Sequence, residues 1–596
     1  MTPWLDSVRR AGEQLEAALP VRYRPALGAL AIVALSLVAI IPLFAGGLIL
    51  TGDMLQALRI YEIGRCWQDG QVPCRWVPDL GNSYGYPLFN YYPPLPYYAG
   101  DLLHRLGLSY LRAADMLYAI GLVGAGLSMY AFARRLWGEL GGLVSAVAYM
   151  YAPYLALDAY MRGALAELWA LTIVPALLWA IYETVTTARA RWVPVLALCT
   201  GFLLLSHNIV ALIVAPAIAL WAVALLALQG RAALRPALLG ATGALWGLGL
   251  AAFFTLPALL EGDQVHLESL TLGPFNYKFH FASAADLFFE RSADYSFLLG
   301  GRENTVVQIG WFQWIGAALA VPAGVLLWRS GRHAQALAVA TLAAAFGVGV
   351  FMATPASKGI WDSFDSLAYV QFPWRYLGLV SIASGGLAGA WFAVLRDRPA
   401  ALRIALALVL IGIFVGSGRM FFHTELRFDV NDHEVLHGER FAFLGQFANR
   451  DYLPEASDEA PPPRDARAAI VSGRGEVLSA RSGSDWLTLV IGAAEPLQVE
   501  ASLFDYPDWR VRIDGEEVDH SASAPAGLVM FAVPQGRHEV QINLESTAIR
   551  RTGNVISLVS WLALALSLPA LALAPRAEAW VRYRTGAQDS RSQTAR

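Results

Sequence analysis

Residues 27–53 read LGALAIVALSLVAIIPLFAGGLILTGD. The apolar run from Leu27 to Leu50 exceeds the roughly 20 residues that cross a hydrocarbon core, and it stops on Thr51-Gly52-Asp53. No small-residue cleavage site follows, so the run is expected to stay as a first membrane helix. Behind it comes a dense polar and aromatic stretch, Leu50 to Leu103. It carries Asp53, Arg59, Glu62, Arg65 and Asp69, then Cys74-Arg75-Trp76, Tyr84-Gly85-Tyr86-Pro87 and Asn90-Tyr91-Tyr92-Pro93-Pro94. Charge at the mouth of a span is expensive to hold and marks function. The stretch reads as the floor of an active site.

The rest of the composition agrees with a membrane protein. Of 596 residues, 56% are hydrophobic and 15% charged, against about 25% charged in soluble domains, and the mean hydropathy is +0.45. The net charge of -3 argues against a nucleic-acid partner. Cys199 lies in an apolar run, whereas Cys66 and Cys74 share the polar stretch. In an oxidising compartment those two could form a disulfide; two thiols are the other reading.

Arginine marks the cytoplasmic loops of polytopic proteins, and here it orders the chain. Arg9, Arg10, Arg22 and Arg24 precede the first span (26–50), Arg134-Arg135 follow the second (114–132), and the third runs over 140–157. The fourth (165–185) ends near Arg189 and Arg191, and 193–228 is long enough for two helices broken near Ser206-His207-Asn208. Further spans are expected at 238–260, 311–328, 334–352, 376–395, 402–415 and 555–573, the last before Arg576, Arg582 and Arg584. About twelve helices result, with both termini cytoplasmic and every long polar insertion outside. Residues 1–418 form a helical module with outer loops 51–113, 261–308 and 353–375. Residues 419–551 form an outer β-rich domain, and 552–596 the last helix and tail. Strand-like alternation over 486–490, 497–504, 509–513, 528–533 and 538–544 makes that domain an antiparallel β-sandwich.

Several residues could carry chemistry. Asp53 could be a helix-end residue or a catalytic carboxylate. Arg162 and Glu167 flank the start of the fourth span, as a structural pair or as part of a site. His207 and Asn208 interrupt two apolar helices. Trp374 and Arg375 stand at the start of the tenth span, where aromatics also anchor helices at lipid interfaces; a guanidinium there suits a phosphate. Arg59, Tyr91 and Tyr92 belong to the first loop, and Lys278 to the loop after the seventh span. No phosphate-cradling glycine loop, HExxH or GxSxG stands in a fitting context, so nucleotide-driven chemistry and zinc proteolysis lack support.

Four stretches carry a resemblance. They are Gly52-Asp53 with Tyr86-Pro87-Leu88-Phe89-Asn90-Tyr91-Tyr92-Pro93-Pro94, Arg162-Gly163 to Glu167, Gln371-Phe372-Pro373-Trp374-Arg375, and Tyr506-Pro507-Asp508-Trp509 to Asp514-Gly515. In these the chain resembles the glycosyltransferase C (GT-C) superfamily of membrane enzymes. Within it, the chain is similar to bacterial YfhO-like and 6-pyruvoyl-tetrahydropterin synthase-related membrane proteins; that label implies no pterin chemistry. The resemblance implies a polyprenyl-phosphate-linked sugar donor, an extracytoplasmic acceptor and an active site facing the periplasm of a bacterial inner membrane. It also implies a catalytic aspartate in the first outer loop, where Asp53 stands. The paired acid common in such enzymes is missing, since Gly52-Asp53-Met54 offers one carboxylate. A divalent metal, Mg2+ or Mn2+, would fall to Asp53 if to any residue.

The expected activity is sugar transfer with Asp53 as general base and Glu167 sharing that role or holding Arg162. Arg59, Arg162, His207, Asn208, Lys278, Trp374, Arg375, Tyr91 and Tyr92 would bind substrate. A flippase of lipid-linked saccharides and a non-catalytic envelope protein are the competing readings; the first lacks paired broken spans.

Overall fold

Pro42 and two glycines end the first helix earlier than its hydropathy does. The computed structural model describes residues 23–293, 307–445 and 451–567. The helix Arg24–Ile40 gives way to a 3-10 turn, Ile41–Ala45, where Pro42 has no N–H to donate. Gly46 and Gly47 then take φ of 97° and 69°. Leu48–Ile49 leave as strand β1, antiparallel to β2 (Arg427–Phe428), with Leu48 opposite Phe428. The expected span 26–50 is therefore shorter than its apolar run, and its last residues form a ribbon instead.

Among the described residues, nine helices are long and apolar enough to cross a membrane. One of them, Tyr110–Met150, is broken at Gly138 (φ 81°) just after Arg134 and Arg135. Val193–Ser206 and Asn208–Gln229 part at His207, whose φ of −164° is extended and whose Nδ1 accepts the Val210 N–H at 3.1 Å. A further helix covers residues 548–567. Arg9, Arg10, Arg22, residues 294–306 of the expected 261–308 loop, and the tail arginines Arg576, Arg582 and Arg584 lie outside the described residues.

Small residues let the helices approach, as membrane packing favours. Trp137 Nε1 and Ser145 Oγ both donate to the Gly386 carbonyl, at 2.7 and 3.2 Å. A Cβ on Gly385 would lie 2.6 Å from that of Tyr149.

The expected β-sandwich is present. One antiparallel sheet orders β3 (Ala468–Ser472), β6 (Leu497–Phe504), β10 (Leu528–Val533) and β9 (His520–Ala522). The other orders β4 (Gly475–Ser482), β5 (Trp486–Ala493), β11 (Gly536–Leu544), β7 (Trp509–Ile513) and β8 (Glu516–Val518). Strict alternation drives it: β5 buries Leu487, Leu489 and Ile491 and leaves their neighbours half-buried. Asp514 and Gly515, both at positive φ, turn β7 into β8.

The sandwich is not a free appendage. Trp76 and Tyr84 of the first loop belong to its core, with the rings of Trp76 and Trp509 edge-on at 5.3 Å. Cys66 and Cys74 are disulfide-bonded within that loop. A buried ion pair adds a latch: Arg550 Nε donates to Glu261 Oε2 at 2.8 Å, both side chains 1% exposed. Arg550 Nη2 also reaches Gln264 Oε1 at 3.0 Å and the Tyr506 hydroxyl at 2.9 Å.

Removing one member of such a pair strands the other charge, at a cost of about 3–5 kcal/mol. Glu261→Ala should lower the unfolding temperature sharply, read by tryptophan fluorescence in nanodiscs. Glu261→Met combined with Arg550→Met should recover most of that loss. Equal destabilisation of the single and double variants would show that the pair is not the latch.

Candidate active site

Two loops distant in sequence are joined by their backbones. The Gly52 N–H donates to Met161 O at 2.8 Å and the Asp53 N–H to Arg162 O at 2.9 Å. Gln56 Nε2 donates to Gly163 O at 2.8 Å. Gly163 adopts φ 67°, and a Cβ there would come 2.5 Å from Asp53 O. Only glycine suits that position. Asp53 is thus fixed against the residue whose side chain enters the charged cluster on the other side.

The Asp53 carboxylate stays 28% exposed. Its Oδ2 accepts Arg59 Nη1 at 2.6 Å and its Oδ1 the Leu55 N–H at 3.1 Å. Arg59, on the helix Gln56–Gln68, lies 4.4 Å over the Tyr92 ring. Behind it, the Tyr97 hydroxyl donates to Gln56 Oε1 at 2.8 Å.

The second cluster grows from the π-helical turn Leu157–Arg162 and the start of the helix Leu165–Thr187. Arg162 Nη1 donates to Glu167 Oε2 at 2.8 Å and to Asp158 Oδ1. The Tyr154 hydroxyl donates to Glu167 Oε1 at 2.5 Å. Arg375 Nε approaches Glu167 Oε2 at 3.4 Å while its Nη1 donates to Val370 O at 2.9 Å. Trp374 covers the Arg162 guanidinium at 4.7 Å. Burial pushes the Asp158 carboxyl well up, and the neighbouring Glu167 charge adds to this. Two guanidiniums and two carboxylates, Arg162 and Arg375 with Asp158 and Glu167, thus share one buried cluster. His207 adjoins the cluster, within electrostatic reach of Glu167, Arg375 and Arg162.

Other expected site residues go elsewhere. Tyr91 is buried in the Arg550 network, its hydroxyl donating to Glu261 O at 2.7 Å and lying 2.9 Å from the Tyr506 hydroxyl. Asn208 is exposed, its Oδ1 accepting the Ile209 N–H. Lys278 is exposed beside the Tyr277 ring.

Sequence reading missed three residues. Asp158, four before Arg162, and Tyr154 were within reach of a helical-spacing argument. Asp451 was not. It comes from the segment leading into the β-sandwich, next to Tyr452, which stacks on Tyr91 at 5.7 Å. Burial raises its carboxyl to about 6; the Asp53 charge adds to this and Arg59 opposes it. Arg59 therefore stands among carboxylates from both halves of the chain.

No divalent-metal site with three protein carboxylate, histidine or cysteine ligands stands among the described residues. Both Asp53 oxygens already accept hydrogen bonds, one of them from an arginine.

The family described as "6-pyruvoyl-tetrahydropterin synthase related domain; membrane protein" matches residues 89–362. This bears out the resemblance read from the sequence: the chain is a polytopic helical membrane protein similar to that family, with a C-terminal β domain. Two solved proteins are similar in structure. The arabinofuranosyltransferase AftD from Mycobacteria is 15% identical, covering 69% of this chain and 28% of its own, with a TM-score of 0.44. The Archaeoglobus fulgidus oligosaccharyltransferase is 14% identical, covering 68% of this chain and 56% of its own, with a TM-score of 0.39. The chain thus spans less than two thirds of either protein's length. No curated protein matches it in sequence.

A neutral acid that ionises above its ordinary value of about 3.9 stabilises the fold below that pH. For Asp451 this contribution is lost as pH rises through about 6. Asp451→Asn stays neutral throughout, so it should gain about 1 kcal/mol on the wild type between pH 4.5 and 7.5, after allowance for solvent screening. Thermal unfolding at the two pH values measures this. An identical pH slope in both proteins would refute it.

Proposed function

We propose that the chain is a membrane glycosyltransferase that moves a sugar from a polyprenyl-phosphate donor to an extracytoplasmic acceptor. One observation carries the reading: the backbone clip holds a partly exposed carboxylate, Asp53, against a buried, arginine-bearing, aromatic-covered cluster at the helix ends. Residues 1–418 would be the catalytic module and 419–551 the outer β domain. The arginine distribution supports a reading with both termini in the cytoplasm and the site on the other side of a bacterial inner membrane.

The donor's prenyl tail lies in the bilayer, so its phosphate waits at the membrane surface. Arg375 and Arg162 receive it, Trp374 closing over them. Arg375 Nε is buried and has no hydrogen-bond partner among the described residues, so a phosphate oxygen would complete it. The acceptor hydroxyl oxygen attacks the anomeric carbon, and Asp53 takes its proton as general base. The bond to the phosphate oxygen breaks, the electron pair leaving with the polyprenyl phosphate, whose growing charge the guanidiniums stabilise. A single displacement of this kind inverts the anomeric centre. Glu167 carries no proton in this scheme. It holds Arg162 and Arg375 side by side, and His207 supports the cluster.

Asp53→Asn should lower sugar transfer from lipid-linked donor by about 100-fold or more, as loss of a general base does, with donor binding retained. Arg375→Lys, which gives up the planar fork, should weaken donor binding by about tenfold. Mass spectrometry of glycan products and of bound lipid reads both. Undiminished transfer by Asp53→Asn would remove the proposal.

A further inference from the structure

Asp115 lies one turn into the helix Tyr110–Met150, with 6% exposure, and its Oδ2 has no hydrogen-bond partner among the described residues. Arg112 comes to 3.8 Å of it but donates instead to Phe44 O at 3.1 Å. A buried carboxylate oxygen left unsatisfied is destabilising, which makes its surroundings informative. Asp115 lines a cavity of about 430 Å³ between the start of this helix and residues 430–433. That volume falls in the range of about 300–1,000 Å³ typical of small-molecule sites.

The lining has a consistent chemistry. Asp432 is occupied, accepting the Tyr110 and Leu111 N–H groups at 2.6 and 3.1 Å. Asn431 Oδ1 caps the next helix, accepting the Glu434 N–H at 3.1 Å. The Asp115 carboxylate, the His433 ring and the amide N–H pair of Asn431 remain for a ligand, with Val430 and Leu111 as apolar wall. Asp115 and Asp432 are balanced by Arg112 in the lining and by Arg427, which also acts on Asp115, so the site favours neither an anion nor a cation and leaves carboxylate oxygens as acceptors. Neighbouring hydroxyls on a ring suit them, because each can donate to the carboxylate while the ring C–H face meets the apolar wall.

The cavity also leads to the chemistry. Gly47, Leu111 and Asp115 line it and equally line a narrower space of about 30 Å³ whose far wall holds Thr51, Asp53 and Gln56. Arg162, Trp374 and Arg375 line neither space. Asp53 therefore stands between the cationic cluster and the polar cavity.

We propose that this cavity is the acceptor subsite and binds an uncharged glycoside, with Asp115 accepting hydrogen bonds from adjacent sugar hydroxyls. The proposal rests on the glycosyltransferase reading of Asp53 and adds to it the chemical class of the acceptor and the residues that hold it. The test uses the full chain in nanodiscs and a panel of methyl pyranosides and methyl furanosides, observed by saturation-transfer-difference NMR. Saturable binding to the wild type is expected. Asp115→Asn should weaken it on the order of tenfold, as loss of a charged acceptor does. Val430→Trp, which fills the space, should abolish it, and the exposed His433→Ala should weaken it without affecting folding. Absence of saturable binding to the wild type, or unchanged binding in Asp115→Asn, Val430→Trp and His433→Ala, would overturn the subsite. Glycoside binding that depends on Asp115, with no sugar transfer by the wild type, would overturn the glycosyltransferase reading and leave the subsite standing.

Discussion

The hydrogen bond from the Asp53 N–H to the Arg162 carbonyl is the constraint on which the site depends. It joins main chain to main chain, so it fixes the register of two loops whatever their side chains do. Gly163 permits it by turning in the left-handed region, and Gln56 reinforces it through the Gly163 carbonyl. With the backbones tied, the Asp53 and Arg162 side chains are set on different sides of one seam. Asp53 faces the narrow space beside Asp115, and Arg162 enters the cluster with Glu167.

That cluster is poor economy as a stabilising device. Desolvating several ions at once costs several kcal/mol each, and well-packed apolar residues often do as well. Its members are nearly sealed, with Asp158 and Glu167 0% and 1% exposed and both arginines near 10%. Within it the Arg375 Nε lies 3.4 Å from Glu167 Oε2 yet makes no hydrogen bond among the described residues. Asp115 Oδ2 likewise has no hydrogen-bond partner among the described residues.

Hydropathy and arginine placement made most of the helical order legible, because length and loop charge are local properties. The break at His207 and the alternation of β5 were equally visible. The end of the first helix was not, since apolar residues after Pro42 continue the hydropathy while the backbone turns into a ribbon with Arg427–Phe428. Within the site, Asp53, Arg162, Glu167, Trp374 and Arg375 could be picked out because each interrupts or abuts an apolar run. Tyr91 looked like its neighbour Tyr92, yet successive residues in the short helix Leu88–Tyr91 and its exit point different ways. One reaches Tyr506 and the other Arg59. Asp451 carried no local signal at all, because only the tertiary fold brings it to Arg59.

The position of Asp451 shows how the β-sandwich is tied to the helical module. Segment 451–457 is laid along the loop after Leu234–Leu260: the His266 N–H donates to Leu453 O at 2.9 Å and the Glu455 N–H to Gln264 O at 3.0 Å. Gln264 in turn holds Arg550, which holds Glu261 and Tyr506. Tyr506 meets Tyr91, and Tyr452 stacks on the same ring. The chain of contacts therefore runs from the sandwich through Tyr91 to the segment that brings Asp451 within electrostatic reach of Asp53 and Arg59. A sandwich attached only by a linker could not hold a carboxylate there. Its docking onto Trp76 and Tyr84 ties it to the first loop, so the helical module and the β domain make a single structural unit.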